Sequence, residues 1–404
     1  MQPLRRNLRF QLFWMGSAAS ELGSTLSWLA YPLLVLALTG SPTQAGLVGA
    51  VAVGAEIICG IPAGALVDRW DRRRVLLGTD LVRMAAMASL ALALLADALT
   101  MPHLLAVAVV NGVASALFWP AHGASLRALV PSEQLPTAYA QEQTRQHAAG
   151  LAGPALGGVL FSLGRAIPFL VDAVTYLVSF VCVAFARVPR RPETPAEPQS
   201  MREGIGEAFR WLWNQPVLRA SAALAFVINL VVNAMKLPII VMVATPADVG
   251  LVMAALGVGG LAGAAISARL MRLLPTGRLM LAGVWFLAAV LPFLVLPLGT
   301  YWAAVVLFVA MLAAPALNIA IEVEIARTAP DHMQGRVHGV IGVAFGGATP
   351  LAPLLGGVLS QYAGAAPAIL ILCAPLALCG IAGLFSAALR AKRDLPRREA
   401  PLSV

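Results

Sequence analysis

Charge is what this sequence has least of. Only 12% of its 404 residues are Asp, Glu, Lys or Arg, about half of what a water-solvated domain carries, so a soluble globular fold is excluded. Lysine is nearly absent: Lys236 is followed by Leu237 and Lys392 by Arg393. Neither can end a phosphate-cradling Gly-Lys-Ser/Thr loop, which excludes ATP as the direct driving force. The four cysteines (Cys59, Cys182, Cys373, Cys379) fall in apolar segments without metal-ligand spacing or a disulfide framework, and read as small hydrophobes. Five histidines (His103, His122, His147, His332, His338) show no HExxH spacing and no Ser/His/Asp grouping. A membrane enzyme is thereby disfavoured, and neither metal nor cofactor is expected.

What is present is apolar: 59% of the chain. It comes in repeated runs of about 20 residues, the length that crosses a hydrocarbon core of ~30 Å. Backbone amides in lipid must be satisfied internally, so these runs are read as helices. The spacing predicts twelve, at 8–38, 44–66, 76–97, 103–126, 136–163, 167–187, 217–243, 247–270, 277–298, 301–327, 334–362 and 366–389. The fold class is all-α and membrane-integral. Residues 1–187 form one six-helix half and 217–389 the other, with a cytoplasmic tail at 390–404. The segment 188–216 holds Pro189, Pro192, Pro195 and Pro198 with several charges, as in a solvated linker. It ends in an amphipathic piece, Met201 to Trp213, with Phe209, Trp211, Leu212 and Trp213 as interfacial anchors. The basic N-terminus followed by a long apolar run reads as an uncleaved insertion signal.

The net charge of +9 would fit a nucleic-acid surface, but 24 of the 28 basic residues fall on one side of the helices. That asymmetry is the positive-inside rule, placing both termini and the linker in the cytoplasm of a cell-membrane protein. No nucleic-acid partner is expected; the partners are the bilayer, a small-molecule substrate and protons.

A single offset of 199 aligns the halves in places: Gly60, Ala63, Gly64 and Ala65 on Gly259, Ala262, Gly263 and Ala264; Pro131 on Pro330; Pro154 on Pro353; Gly157 and Gly158 on Gly356 and Gly357; and Pro168 on Pro367. Two parallel six-helix repeats imply a pseudo-two-fold axis along the membrane normal, with substrate bound between the halves. Such a chain encloses its own path, so a monomer is expected.

The loop after helix 2 reads GALVDRWDRRR, Gly64 to Arg74. With Gly64, Asp68, Arg69 and the run Arg72, Arg73, Arg74, it resembles the signature loop of the major facilitator superfamily, with Asp71 in place of the usual second glycine. This version is most similar to the macrolide-efflux and siderophore-exporter branch, which are drug:proton antiporters. Helix 5 carries GLAGPALGG (Gly150, Gly153, Pro154, Gly157, Gly158), similar to the antiporter motif. The resemblance implies the major facilitator fold, alternating access, and an Asp68 latch on helix 11, whose start holds Arg336. It also implies proton-coupled efflux of drug-like molecules, with lysolipid flipping or solute uptake as alternatives. Two departures stand out: Ser267 occupies the position 199 after Asp68, and helix 4 has no motif arginine.

Ionisable groups within spans are functional candidates by default. Glu21 and Glu56 are candidate proton or substrate sites, since desolvation favours the neutral carboxyl. Ser17, Glu21, Ser24, Thr25 and Trp28 share one face as a candidate cavity wall. Lys236, with Asn229 and Asn233, is read as an outer-gate partner of Asp172 or as an anion site. Glu142, Arg145, Glu322, Arg327 and Arg336, with Asp80, Arg83, Asn318 and Glu324, are read as an inner salt-bridge gate. Trp14, Trp28, Phe118, Trp119, Trp285 and Phe286 are candidate pocket aromatics.

Overall fold

The computed structural model describes residues 4–188, 201–243, 245–329 and 349–390, together with 337, 342, 346 and 347. Among them the chain is helical, with no strand. The elements are α1 (Leu8–Thr39), α2 (Pro42–Arg69), α3 (Arg72–Leu95), α4 (Met101–Leu129), α5 (Leu135–Leu163), α6 (Ile167–Ala186), the amphipathic α7 (Met201–Trp213), α8 (Pro216–Met242), α9 (Pro246–Leu273), α10 (Thr276–Val290), α11 (Thr300–Met311), α12 (Ala314–Thr328), α13 (Leu351–Ala363) and α14 (Ala365–Phe385).

Among the described residues, ten helical segments are long and apolar enough to cross a membrane. Of the two other crossings expected, α5 has the length at 29 residues, but its first half reads LPTAYAQEQTRQHAA. The other is the segment expected over 334–362, described as a helix from Leu351 to Ala363.

Local chemistry fixes the boundaries. Ser41 and Thr245 each accept a hydrogen bond from the third backbone amide on, and each is followed by a proline at the first helical position, the favoured start of a helix. The loop between α2 and α3 is only Trp70 and Asp71, far tighter than the sequence implies. Asp71 shortens it: its Oδ1 accepts from the amides of Arg73 (2.9 Å) and Arg74 (3.3 Å) and so caps α3. Asp71→Ala is expected to cost about 1 kcal/mol, read as a lower melting temperature of the purified protein. The tenth expected span is broken between Met311 and Ala314. Pro315 follows the break, and its ring would clash with the Met311 carbonyl in a continuous helix. The ninth ends in a 3-10 turn, Leu291–Val295, around Pro292.

Helices α1–α6 pack on one another, as do α8–α14, and the two groups meet along two main seams, α5 with α9 and α2 with α13. Glycine permits both seams. A Cβ on Gly158 would strike the Pro246 carbonyl and lie 2.9 Å from Gly250 Cα; one on Gly357 would strike the Pro42 carbonyl and lie 3.2 Å from Gly46 Cα. Gly157 lies against α1 and Gly356 against α8 in the same way. The Gly-Gly pairs at the 199 offset are therefore structurally equivalent.

The same contacts correct the repeat elsewhere. Pro42 corresponds to Pro246 and Gly46 to Gly250, a separation of 204, and α2 and α9 are both 28 residues long. The match of Gly60 to Gly259 was a coincidence of two small-residue-rich helices. At 204 the counterpart of Asp68 is Arg272 rather than Ser267.

Candidate functional site: a buried polar network and a cavity between the helical groups

The helix ends carrying Arg69, Arg72, Arg127, Arg187, Arg272 and Arg327 define a basic end of the bundle. Among the described residues, the close backbone approaches between the groups lie from mid-helix to the opposite end: Gly46 on Pro353, Gly257 on Leu151, and Gly158 on Pro246. Towards the basic end, Gln143, Thr144 and His147 of α5 and Ala264, Ala265 and Ile266 of α9 are exposed. The α5–α9 seam is closed at one end and splayed at the basic one.

Between the groups, at the closed end, lies a cavity of about 200 Å³ lined from both sides. Trp28, Tyr31, Val48, Val53 and Asn111 come from the first group, and Asn233, Lys236, Ile240 and Thr349 from the second. Lys236 Nζ donates to Asn233 Oδ1 at 2.8 Å and stands 4.7 Å from the Trp28 ring centroid. Asn233 Nδ2 donates to the Asn229 carbonyl, and Asn229 Nδ2 to that of Ala225, so the two asparagines climb one face of α8 to the lysine. Asp172 is not paired with Lys236. It is buried in the first group, beside Thr175 Oγ1 (3.4 Å), and faces Gly23 of α1.

Glu21 belongs to a different place. Arg145 Nη2 donates to Glu142 Oε2 at 2.7 Å, Arg145 Nη1 donates to the Ser17 carbonyl at 2.8 Å, and Nη1 lies 3.7 Å from Glu21 Oε2. His122 Nε2 is 3.6 Å from the same Glu142 oxygen and 3.0 Å from Ser17 Oγ. Ser17 spends its one proton on the Phe13 carbonyl at 2.9 Å. Its oxygen therefore accepts from the imidazole, which puts a proton on Nε2. Phe13 and Phe118 both stack on the ring, with centroids at 4.7 and 5.5 Å. Glu142 and Arg145 are almost fully enclosed, whereas the Glu21 side chain keeps 21% exposure. The network thus runs from a buried His–Glu–Arg core to a carboxylate that reaches accessible space.

Two expectations change here. Glu142 and Arg145 bind each other and α1 and α4 inside one helical group; they do not bridge the groups as a gate. The helix 1 polar stripe fans out as packing: Ser17 meets His122, Ser24 Oγ meets the Tyr176 hydroxyl at 2.8 Å, and Thr25 donates to the Ala149 carbonyl. Of that stripe only Trp28 lines the cavity.

A second buried cluster lies deeper in the first group. Asp80 Oδ2 accepts from Ser179 at 2.7 Å. The Arg83 guanidinium lies 5.1 Å from the Phe118 ring centroid and 5.6 Å from that of Tyr176, a cation held by π faces. Glu56 is partly buried on α2, its backbone amide packed against Gly112 of α4.

The loop residues act locally. Arg73 Nη2 donates to the Ala184 carbonyl in the last turn of α6 (2.7 Å) and Arg72 Nη1 to the Ala124 carbonyl of α4 (3.4 Å). Arg69 and Arg74 stand at a groove between α3 and α4. Gly64 and Gly150 have open space where a Cβ would go. The Asp68 side chain and Arg336 lie outside the described residues, and with them the latch. Near the basic end of α12, Glu322 and Arg327 are exposed while Glu324 is buried, accepting from Thr276 at 3.2 Å.

Of the pocket aromatics only Trp28 lines the cavity: Phe118 and Trp119 surround His122 and Trp285 packs against Gly380. His122 and Tyr31 were missed as site residues. His122 lies one turn after Phe118 in an apolar helix, and that isolated polar ring was the available signal.

Known proteins place this architecture. The bacterial homologue of the human lysosomal transporter Spinster, solved inward-facing and unoccupied, superposes with a TM-score of 0.75 at 14% identity, over 98% of this chain and 100% of that one. A bacterial homologue of the iron transporter ferroportin, inward-facing, gives 0.74 at 14% identity, over 95% and 99%. In sequence, the multidrug efflux pump Tap of Mycolicibacterium fortuitum is 28% identical over 400 residues, 94% of this chain and 96% of that one. Macrolide efflux protein A of Streptococcus pyogenes is 26% identical over 184 residues, 45% of each. The family described as transmembrane secretion effector matches residues 1–400, and this chain belongs to it, as a membrane transporter of the major facilitator type.

Proposed function

We propose that this protein expels amphipathic, drug-like small molecules across the cell membrane in exchange for protons. Residues 1–187 and 217–389 serve as the two rocking halves, joined by the cytoplasmic linker 188–216. In this reading the basic end faces the cytoplasm, in keeping with the positive-inside rule, and the splayed end of the α5–α9 seam is the inward opening of the cycle. The similarity to the Tap and macrolide efflux proteins supports export of drug-like cargo.

One observation carries the coupling: Arg145 lies between two carboxylates, Glu142 at 2.7 Å and Glu21 at 3.7 Å, the second partly exposed. A proton arriving on Glu21 neutralises it and leaves Arg145 wholly to Glu142; loss of that proton restores a three-charge cluster. The two states differ in the charge presented to the central space, which is what couples protonation to a change of shape. His122, in contact with Glu142 and Ser17, holds the other side of the cluster in position.

The test is drug accumulation in an efflux-deficient bacterium expressing the protein. Wild type is expected to lower accumulation of members of a panel of antibiotics and fluorescent dyes that includes anionic, neutral and cationic compounds, and an uncoupler to abolish that effect. Glu21→Gln is expected to transport at about a tenth of the wild-type rate or less at equal membrane abundance. Wild-type transport by Glu21→Gln, or efflux indifferent to the uncoupler, overturns the coupling scheme. Raised accumulation identifies uptake instead.

A further inference from the structure

The transport reading leaves the cargo undefined, and the cavity between the groups narrows it. Among the described residues lining that cavity, Lys236 is the one charged side chain and none is a carboxylate. The lysine is held from two directions. Asn233 Oδ1 accepts one ammonium proton, and Asn233 is fixed in turn by its own bond to Asn229. On another side stands the face of Trp28, contributed by the opposite helical group. An ammonium has three protons, so the amide oxygen leaves donor capacity unused within a space walled by Val48, Val53, Leu237 and Ile240.

A charge held this way inside a membrane protein is expensive, and neither an amide oxygen nor an indole face neutralises it. We propose that Lys236 receives the anionic group, a carboxylate or phenolate, of an amphipathic substrate whose apolar body lies along the valine- and isoleucine-lined wall. The inference rests on the transport reading above and specifies its substrate class. The size agrees: about 200 Å³ is less than the roughly 300 Å³ of a pocket for a whole drug-sized ligand, but accommodates the anionic group with the adjoining part of the apolar body. Its sign is opposite to that of a cavity built for cations, and a cationic ligand would meet the ammonium with no acid among the described lining residues to offset the repulsion.

The experiment uses two dyes sharing a xanthene ring system: fluorescein, anionic, and rhodamine 123, cationic. Binding of each to the purified full-length protein in nanodiscs is followed by fluorescence polarisation. Wild type is expected to bind fluorescein more tightly than rhodamine 123 by about thirtyfold, the effect of one desolvated charge pair. Lys236→Met is expected to erase that preference, weakening fluorescein while leaving rhodamine 123 unchanged or tighter, and Lys236→Arg to keep most of it. Equal affinities in wild type, no fluorescein binding, or a Lys236→Met variant that weakens both dyes alike would overturn the assignment. Because binding needs no proton gradient, its outcome is independent of the coupling test.

Discussion

Gly158→Val is expected to abolish efflux while leaving the protein in the membrane. Residue 158 sits where α5 crosses α9, and the first atom of any side chain there meets the Pro246 carbonyl and the Gly250 backbone. Backbone cannot rotate away as a side-chain tip does, so the helices must separate. Overpacking of this kind costs ~1–3 kcal/mol, and the cost falls only on states in which this seam is closed. In the proposed cycle those are the inward-open states, so the population shifts by roughly ten- to a hundredfold towards the opposite one and turnover stops. Gly357→Val at the equivalent seam, against the Pro42 carbonyl and Gly46, should do the same. Gly150→Val is the control: open space surrounds that position, and transport should persist. Efflux by Gly158→Val at the wild-type rate would show that this seam need not close.

The second large effect is on stability. Arg145→Met removes the donor 2.7 Å from Glu142 Oε2 and leaves that carboxylate in a site with 8% side-chain exposure. Breaking a buried pair from one side costs about 3–5 kcal/mol, because the orphaned charge stays buried. The purified variant is expected to melt well below wild type and to accumulate poorly. The double variant Glu142→Gln with Arg145→Met, which removes both charges, should recover most of the loss. Glu21→Gln alone should scarcely change melting, since Glu21 is partly exposed and stands 3.7 Å away. If all three variants melted alike, the core of the network would not be the Glu142–Arg145 pair.

Ten of the twelve expected crossings were legible because lipid imposes a length and a composition that survive in sequence. The paired Gly157–Gly158 and Gly356–Gly357 were legible too, since close helix contact demands small residues at fixed places and proline marks the register. The same logic failed in α2 and α9, where small residues are so common that an alignment five residues out of step still matched glycine to glycine; the caps Ser41 and Thr245 hold the true register. Which way a polar side chain turns was not legible. Periodicity places Ser17, Glu21, Ser24 and Thr25 on one face of α1, but α4, α5 and α6 each claim a part of it. Equally, Asp172 and Lys236 sit at similar depth, yet one faces α1 and the other the cavity. Asp71 read as a departure from a glycine pattern, and its function as a helix cap emerges only from its bonds to Arg73 and Arg74.

The most direct test of the central claim is proton movement in proteoliposomes with an acidic interior, followed by an internal pH dye. The trigger is external addition of a compound exported in the cell assay. Exchange predicts that the compound enters as protons leave, so the interior becomes alkaline faster with wild type than with Glu21→Gln or with empty vesicles. Entry of the compound without any added proton efflux, or equal alkalinisation by wild type and Glu21→Gln, would contradict it.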